Sequence, residues 1–135
     1  MCPTVEPSKD QLEALRADPD AGPVVMLNLV QFHTAPGSGD ASGREAYLRY
    51  SRGFIPLLKR VGGTVIWAGD VTGVAIGDDR SDSWDYAVLV RYPNRQAFVE
   101  TMTSPEYAAI NPDRLAGLSK HVILPVRETF SNLHA

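Results

Sequence analysis

Cysteine is nearly absent: Cys2 is the only one among 135 residues. A lone thiol closes no intrachain disulfide, which fits a reducing cytoplasm. Near a chain terminus it reads as a solvated thiol, with a redox role as the sharper alternative. The three histidines, His33, His121 and His134, are scattered, and the chain has neither Cys-x-x-Cys nor His-x-x-x-His. No zinc site is therefore expected. Long apolar runs are also missing, since the longest, Val24 to Val30, is interrupted by Asn28. No membrane span is expected from it. Nor is there an excess of positive charge. Lys and Arg number 13 against 16 Asp and Glu, for a net charge of -3, which gives no electrostatic case for nucleic acid. The segment Met1 to Glu6 has no basic n-region and no apolar h-region, so no secretory signal is expected.

What remains is an ordinary globular composition, 44% hydrophobic and 21% charged, of a length that suits one domain. Ser8 with Gln11 forms a capping box for a short helix carrying Leu12 and Leu15, and Pro19 to Pro23 ends it. Residues 1–22 thus read as a helical extension before the first strand. Val24 to Phe32 is apolar on both faces, as a central strand covered on both sides would be. Thr34 to Ser42 is a Gly/Ser/Pro loop, and Ser42 with Glu45 makes a second capping box. The helix it opens runs to about Val61, with Tyr47, Tyr50, Phe54, Leu57 or Leu58 on its apolar stripe. Pro56 lies on the polar side, and Gly62-Gly63 supplies the C-cap.

A strand follows from Thr64, where Gly69, Gly73 and Gly77 suggest a bulge or strong twist. After the polar turn Asp78 to Asp82, Tyr86 to Tyr92 is the third strand. Pro93-Asn94 opens a helix from about Arg95 to Met102, and Ser104-Pro105 restarts helix to about Leu118. Val122 to Val126 is the last strand, with Pro125 arguing for an edge or a bulge. Gly37-Ser38-Gly39 lacks the context of a phosphate loop, and Gly39 to Gly43 misplaces the serine of a nucleophile elbow. Asp78, Asp79 and Asp82 do not match a calcium loop.

Met26-Leu27-Asn28-Leu29, Pro56 with Gly62-Gly63, Trp84, Tyr92-Pro93 with Ala97-Phe98, Ser104-Pro105-Glu106-Tyr107 and Arg114 together resemble the family called domain of unknown function 1330, over about Val24 to Arg127. The Ser-Pro-Glu-Tyr segment and its following arginine carry most of the likeness. The resemblance implies an α+β protomer, a ferredoxin-like β-α-β-β-α-β fold with an antiparallel sheet in the order 4-1-3-2. It also implies a homodimer in which two sheets form a dimeric α/β barrel. It implies no reaction.

In that fold Asp85 and His121 come to one rim of the sheet. Strand parity sets Tyr86, Val88 and Val90 with Val122, Leu124 and Val126 on faces suited to packing under the helices, so those carrying Asn28, Asp85, Arg91 and His121 are expected to point away from the helices, toward the partner. Asn28 must satisfy its amide there, by a structural bond or by a ligand. His121 is the candidate general base, with Asp85 fixing its tautomer; the plainer alternative is a half-exposed strand-end histidine. The candidate substrate-binding residues are Asn28, Tyr50, Trp67 and Arg114. Each also has a structural reading: Tyr50 as core, Trp67 as an interface anchor, Arg114 in a local ion pair with Glu106 or Asp113. The expected function is a cofactor-independent enzyme, oxygenase- or isomerase-like, acting on a small organic molecule. By fold analogy it rests on metal- and flavin-free monooxygenases of related barrels. The alternative is a non-catalytic protein that binds a small metabolite. Neither reading calls for a cofactor or metal.

Overall fold

The computed structural model describes residues 6–34 and 41–133, with backbone alone at 41 and 42. Cys2, most of the Thr34 to Ser42 loop and the Ser42 side chain therefore lie outside the described residues. Eight elements follow in chain order: α1 (Lys9–Ala17), β1 (Val24–Phe32), α2 (Ala41–Arg60), β2 (Thr64–Asp70), β3 (Tyr86–Tyr92), α3 (Arg95–Met102), α4 (Pro105–Gly117) and β4 (Leu118–Val126). The four strands form one antiparallel sheet in the order β2-β3-β1-β4, which is the ferredoxin-like order read from either edge.

Local chemistry accounts for most of the boundaries. Ser8 and Gln11 close the expected capping box on α1. Asn94 and Ser104 cap α3 and α4 by accepting from the Ala97 and Tyr107 amides. Gly62 ends α2 at φ +82°, where a side chain would be strained, while the Gly63 amide returns to the Leu58 carbonyl at 2.9 Å. The helix α2 begins at Ala41, so Ser42 falls inside it rather than at the cap position expected of it. The bulge in β2 sits between Val65 and Trp67, ahead of the glycines that suggested it. The last strand starts four residues earlier than expected, because α4 passes into β4 at Leu118 with no intervening turn.

The core lies between the helices and one face of the sheet. Met26, Val30 and Phe32 of β1 and Val88, Val90 and Tyr92 of β3 meet Tyr47, Tyr50, Phe54 and Leu58 of α2 and Phe98 of α3. Asn28 shares this face by alternation, and its register partners are Val88 and Ile123. His121, two residues from Ile123, shares it as well. This corrects the expectation that Asn28 and His121 face a partner: both point under the helices. Val122, Leu124 and Val126 take the opposite face, which the parity argument had assigned to helix packing. Tyr86, Val88 and Val90 of β3 do lie under the helices, as parity predicts. Among the described residues, no helix is long and apolar enough to cross a membrane.

Candidate functional site

A chain of hydrogen bonds crosses the space between α4 and the sheet. On α4, Arg114 has a side chain only 4% exposed, and its Nη1 donates to His121 Nδ1 at 2.9 Å. His121 Nε2 lies 2.9 Å from Asn28 Oδ1 on β1, and Asn28 Nδ2 donates to the Met26 carbonyl at 3.1 Å. A guanidinium has no acceptor, so the contact forces Nδ1 of His121 to accept. The ring proton is then on Nε2 and is donated to Asn28, whose amide orientation follows. The imidazole is held neutral: burial, and secondarily the Arg114 charge, lower its pKa to about 3.

The other end of Arg114 is equally specific. Its Nε donates to Asn111 Oδ1 at 2.8 Å, one turn earlier on α4, and its Nη2 donates to Glu6 Oε1 at 2.8 Å. Asn111 Nδ2 donates to the same Glu6 oxygen at 3.1 Å. Beside this cluster Tyr50 and Tyr107 share a hydroxyl–hydroxyl bond of 3.0 Å across α2 and α4. Burial raises the pKa of both phenols, although the Arg114 charge opposes it, so both remain protonated donors.

Two cavities flank the chain. The inner one, about 230 Å³ between α2 and the sheet, is lined by Asn28, Tyr47, Tyr50, Phe54, Tyr86 and His121 among others. The larger, about 640 Å³, lies under the Glu6 segment and α1, with Leu15, Met26, Phe98, Met102 and Ile123 as apolar walls. Arg114 and Arg95 bring positive charge to the larger one and Glu6 and Asp18 negative charge, with Arg95 already paired with Asp18 at 3.3 Å and Asp20 at 3.5 Å. Met26, Phe98, Met102, His121 and Ile123 border both spaces. The larger cavity has the size of a small-molecule site, and the inner one falls somewhat below it.

Of the residues singled out in the sequence, Asn28, Tyr50, His121 and Arg114 converge here. Asp85 does not join them: its Oδ2 accepts from the Phe32 amide at 2.8 Å, at the rim of the sheet. The expected Asp85–His121 pair is thus not made within the protomer, because both imidazole nitrogens are occupied by Arg114 and Asn28. Trp67 is 45% exposed and sits opposite Leu89 on the far face of the sheet, away from either cavity. The local partners proposed for Arg114 are also engaged elsewhere: Glu106 with Arg60 and Asp113 with Arg49. Glu6 and Asn111 escaped the sequence reading. Asn111 could have been found from its i, i+3 spacing to Arg114, whereas Glu6 is 108 positions away and leaves no local signal. Among the described residues, no three His, Cys, Asp or Glu side chains gather as metal ligands would.

The fold and sequence have clear relatives. The chain is similar to RPA0582, a protein of unknown function from Rhodopseudomonas palustris, with 30% identity and a TM-score of 0.83, covering 96% of this chain and 99% of that one. It shares its fold with a dimeric ferredoxin-like protein of unknown function from Jannaschia sp. CCS1, at 9% identity and a TM-score of 0.56, over 79% of this chain and 100% of that one. The hydroxynitrile lyase of Passiflora edulis has the same fold at 16% identity and a TM-score of 0.58, over 83% of this chain and 100% of the lyase. No curated protein matches the sequence. The family model described as domain of unknown function (DUF1330) matches residues 38–126, and the chain belongs to that family.

Proposed function

We propose that the protein binds a small organic molecule in the space between its helices and sheet. The apolar body of the ligand lies against the aromatic lining, and its polar end faces the Asn28–His121–Arg114 chain. The observation that carries this reading is the hydrogen-bonded chain itself, a set of oriented donors at the border of two apolar cavities. A few placed polar groups in an apolar cleft are what a small-molecule site requires. A purely structural core would gain more by filling the space with apolar side chains.

A non-catalytic binding role fits the chemistry better than the acid–base role first considered for His121 and Asp85. His121 has no free lone pair, and Asp85 is spent on a backbone amide. One observation keeps a cofactor-independent reaction as a second reading. The neutral ring presents an N–H that could polarise a carbonyl in place of Asn28, so His121 would act as an electrophile and not as a base.

The functional unit under this proposal is a homodimer joined through the far face of the sheet. The core cluster draws only on the helix side, while Leu124, 46% exposed, and Trp67 stand on the other. A second copy would cover that apolar face as the family fold implies.

Thermal shift tests the binding reading. Acetophenone, an aromatic body with one acceptor, should raise the melting temperature of the wild type. Ala68→Phe, which narrows the inner cavity, should abolish that rise. An equal rise in both proteins would move the site elsewhere.

A further inference from the structure

We infer that Arg114 and Asn111 form a carboxylate seat, that Glu6 is its internal occupant, and that the ligand is a small apolar carboxylic acid which displaces Glu6. The inference rests on the small-molecule reading and adds the ligand class to it. Both donors of the seat, Arg114 Nη2 at 2.8 Å and Asn111 Nδ2 at 3.1 Å, converge on one oxygen of the Glu6 carboxylate. Convergent donors with a fixed guanidinium are the geometry that recognises a carboxylate. The remaining contacts of Arg114, to Asn111 Oδ1 and His121 Nδ1, are neutral acceptors, so the buried cation has Glu6 as its counter-ion among the described residues.

The two sides of this ion pair are held very differently. Arg114 is 4% exposed and fixed by α4 and β4, whereas the Glu6 side chain is 55% exposed. Glu6 precedes α1, a helix with no fully buried residue. Exchanging it for another carboxylate therefore leaves the charge balance of Arg114 intact and disturbs little packing. Beside the seat, the larger cavity offers Leu15, Met26, Phe98, Met102 and Ile123 to an apolar body. The other arginine on this cavity, Arg95, already carries two aspartates, which leaves Arg114 as the exchangeable cation. Glu6 and α1 act in this arrangement as a strap that an incoming acid releases.

Phenylacetate and its uncharged counterpart phenylacetamide are the probes, titrated calorimetrically into the full chain and into Glu6→Gln. Removing the competing carboxylate should tighten phenylacetate binding by about tenfold, as expected for one charge-assisted contact, and leave phenylacetamide unchanged. Phenylacetate should also restore the thermal stability that Glu6→Gln loses, a rescue that a merely structural Glu6 would not show. In the wild type both probes should shift α1 resonances through Leu15, but the acid should shift the Glu6 and Ser8 backbone amides further than the amide does, because only the acid displaces Glu6. Equal phenylacetate affinity in the two proteins, or equal affinity for acid and amide, would overturn the carboxylate seat while leaving a small-molecule site. Binding of neither probe to either protein would overturn both.

Discussion

Arg114 Nη1 and His121 Nδ1 lie 2.9 Å apart, and that contact decides what the histidine of the site can do. It assigns the tautomer and spends the lone pair a general base would need, while burial, seconded by the Arg114 charge, keeps the ring neutral. Nitrogen NMR of His121 should therefore show a protonated Nε2 and an unprotonated Nδ1 at neutral pH. The signature should persist to well below the ordinary histidine range.

The burial of His121, seconded by the Arg114 charge, makes stability depend on acid. An unfolded His121 takes a proton near pH 6.5, but the folded one does so only near pH 3. Between those values the unfolded state binds one more proton, so the contribution of neutral His121 is complete above pH 6.5 and falls as pH is lowered. One such group gives a slope of about 1.4 kcal/mol per pH unit. Denaturant unfolding of His121→Gln should lose that component of the slope. An unchanged profile would show that His121 titrates normally.

Asn28→Ala should leave the His121 Nε2–H without its acceptor and cost about 1–3 kcal/mol. Asn28→Asp keeps that acceptor but replaces the donor to the Met26 carbonyl by a second acceptor, so it too should lose stability in urea denaturation at neutral pH. If a ligand acceptor can replace Asn28, acetophenone should stabilise Asn28→Ala more than the wild type.

Gly117 marks a close approach of α4 to α2. A Cβ there would lie 2.7 Å from the Gly43 carbonyl oxygen and 2.9 Å from the Tyr47 amide nitrogen, both backbone atoms that cannot swing aside. Gly117→Ala should destabilise the fold by about 1–3 kcal/mol in urea denaturation, the cost of overpacking. A smaller loss would mean that α2 and α4 can separate freely.

Leu124→Glu places a charge on the exposed far face of the sheet. Light scattering at micromolar concentration should report a dimer for the wild type and a monomer for the variant. A wild-type monomer would remove the barrel from the account.

Local signals carried most of the fold. The bounds of β1, β3 and α3 were legible because apolar runs meet side-chain caps at their ends. The start of β4 was not, since Ser119, Lys120 and His121 look neither helical nor apolar and no turn residue divides them from α4. The face of β4 was misread because both faces are largely apolar: Ile123 packs under helices while Leu124 faces outward. Alternation cannot orient such a strand. The site was legible as residues, but not as connections. Asn28 is tolerated beneath the helices because His121 satisfies it, and Arg114 because Glu6 does, and sequence spacing encodes neither pairing.

The most direct test of the central claim uses the three methionines of the chain as reporters. Met26 and Met102 border both cavities, while Met1 belongs to the amino terminus. Carbon-13 methyl spectra should be recorded as phenylacetate and acetophenone are added in turn. A molecule bound between helices and sheet should shift the Met26 and Met102 methyls in a saturable manner. Stationary Met26 and Met102 signals at millimolar concentrations of both compounds would contradict it.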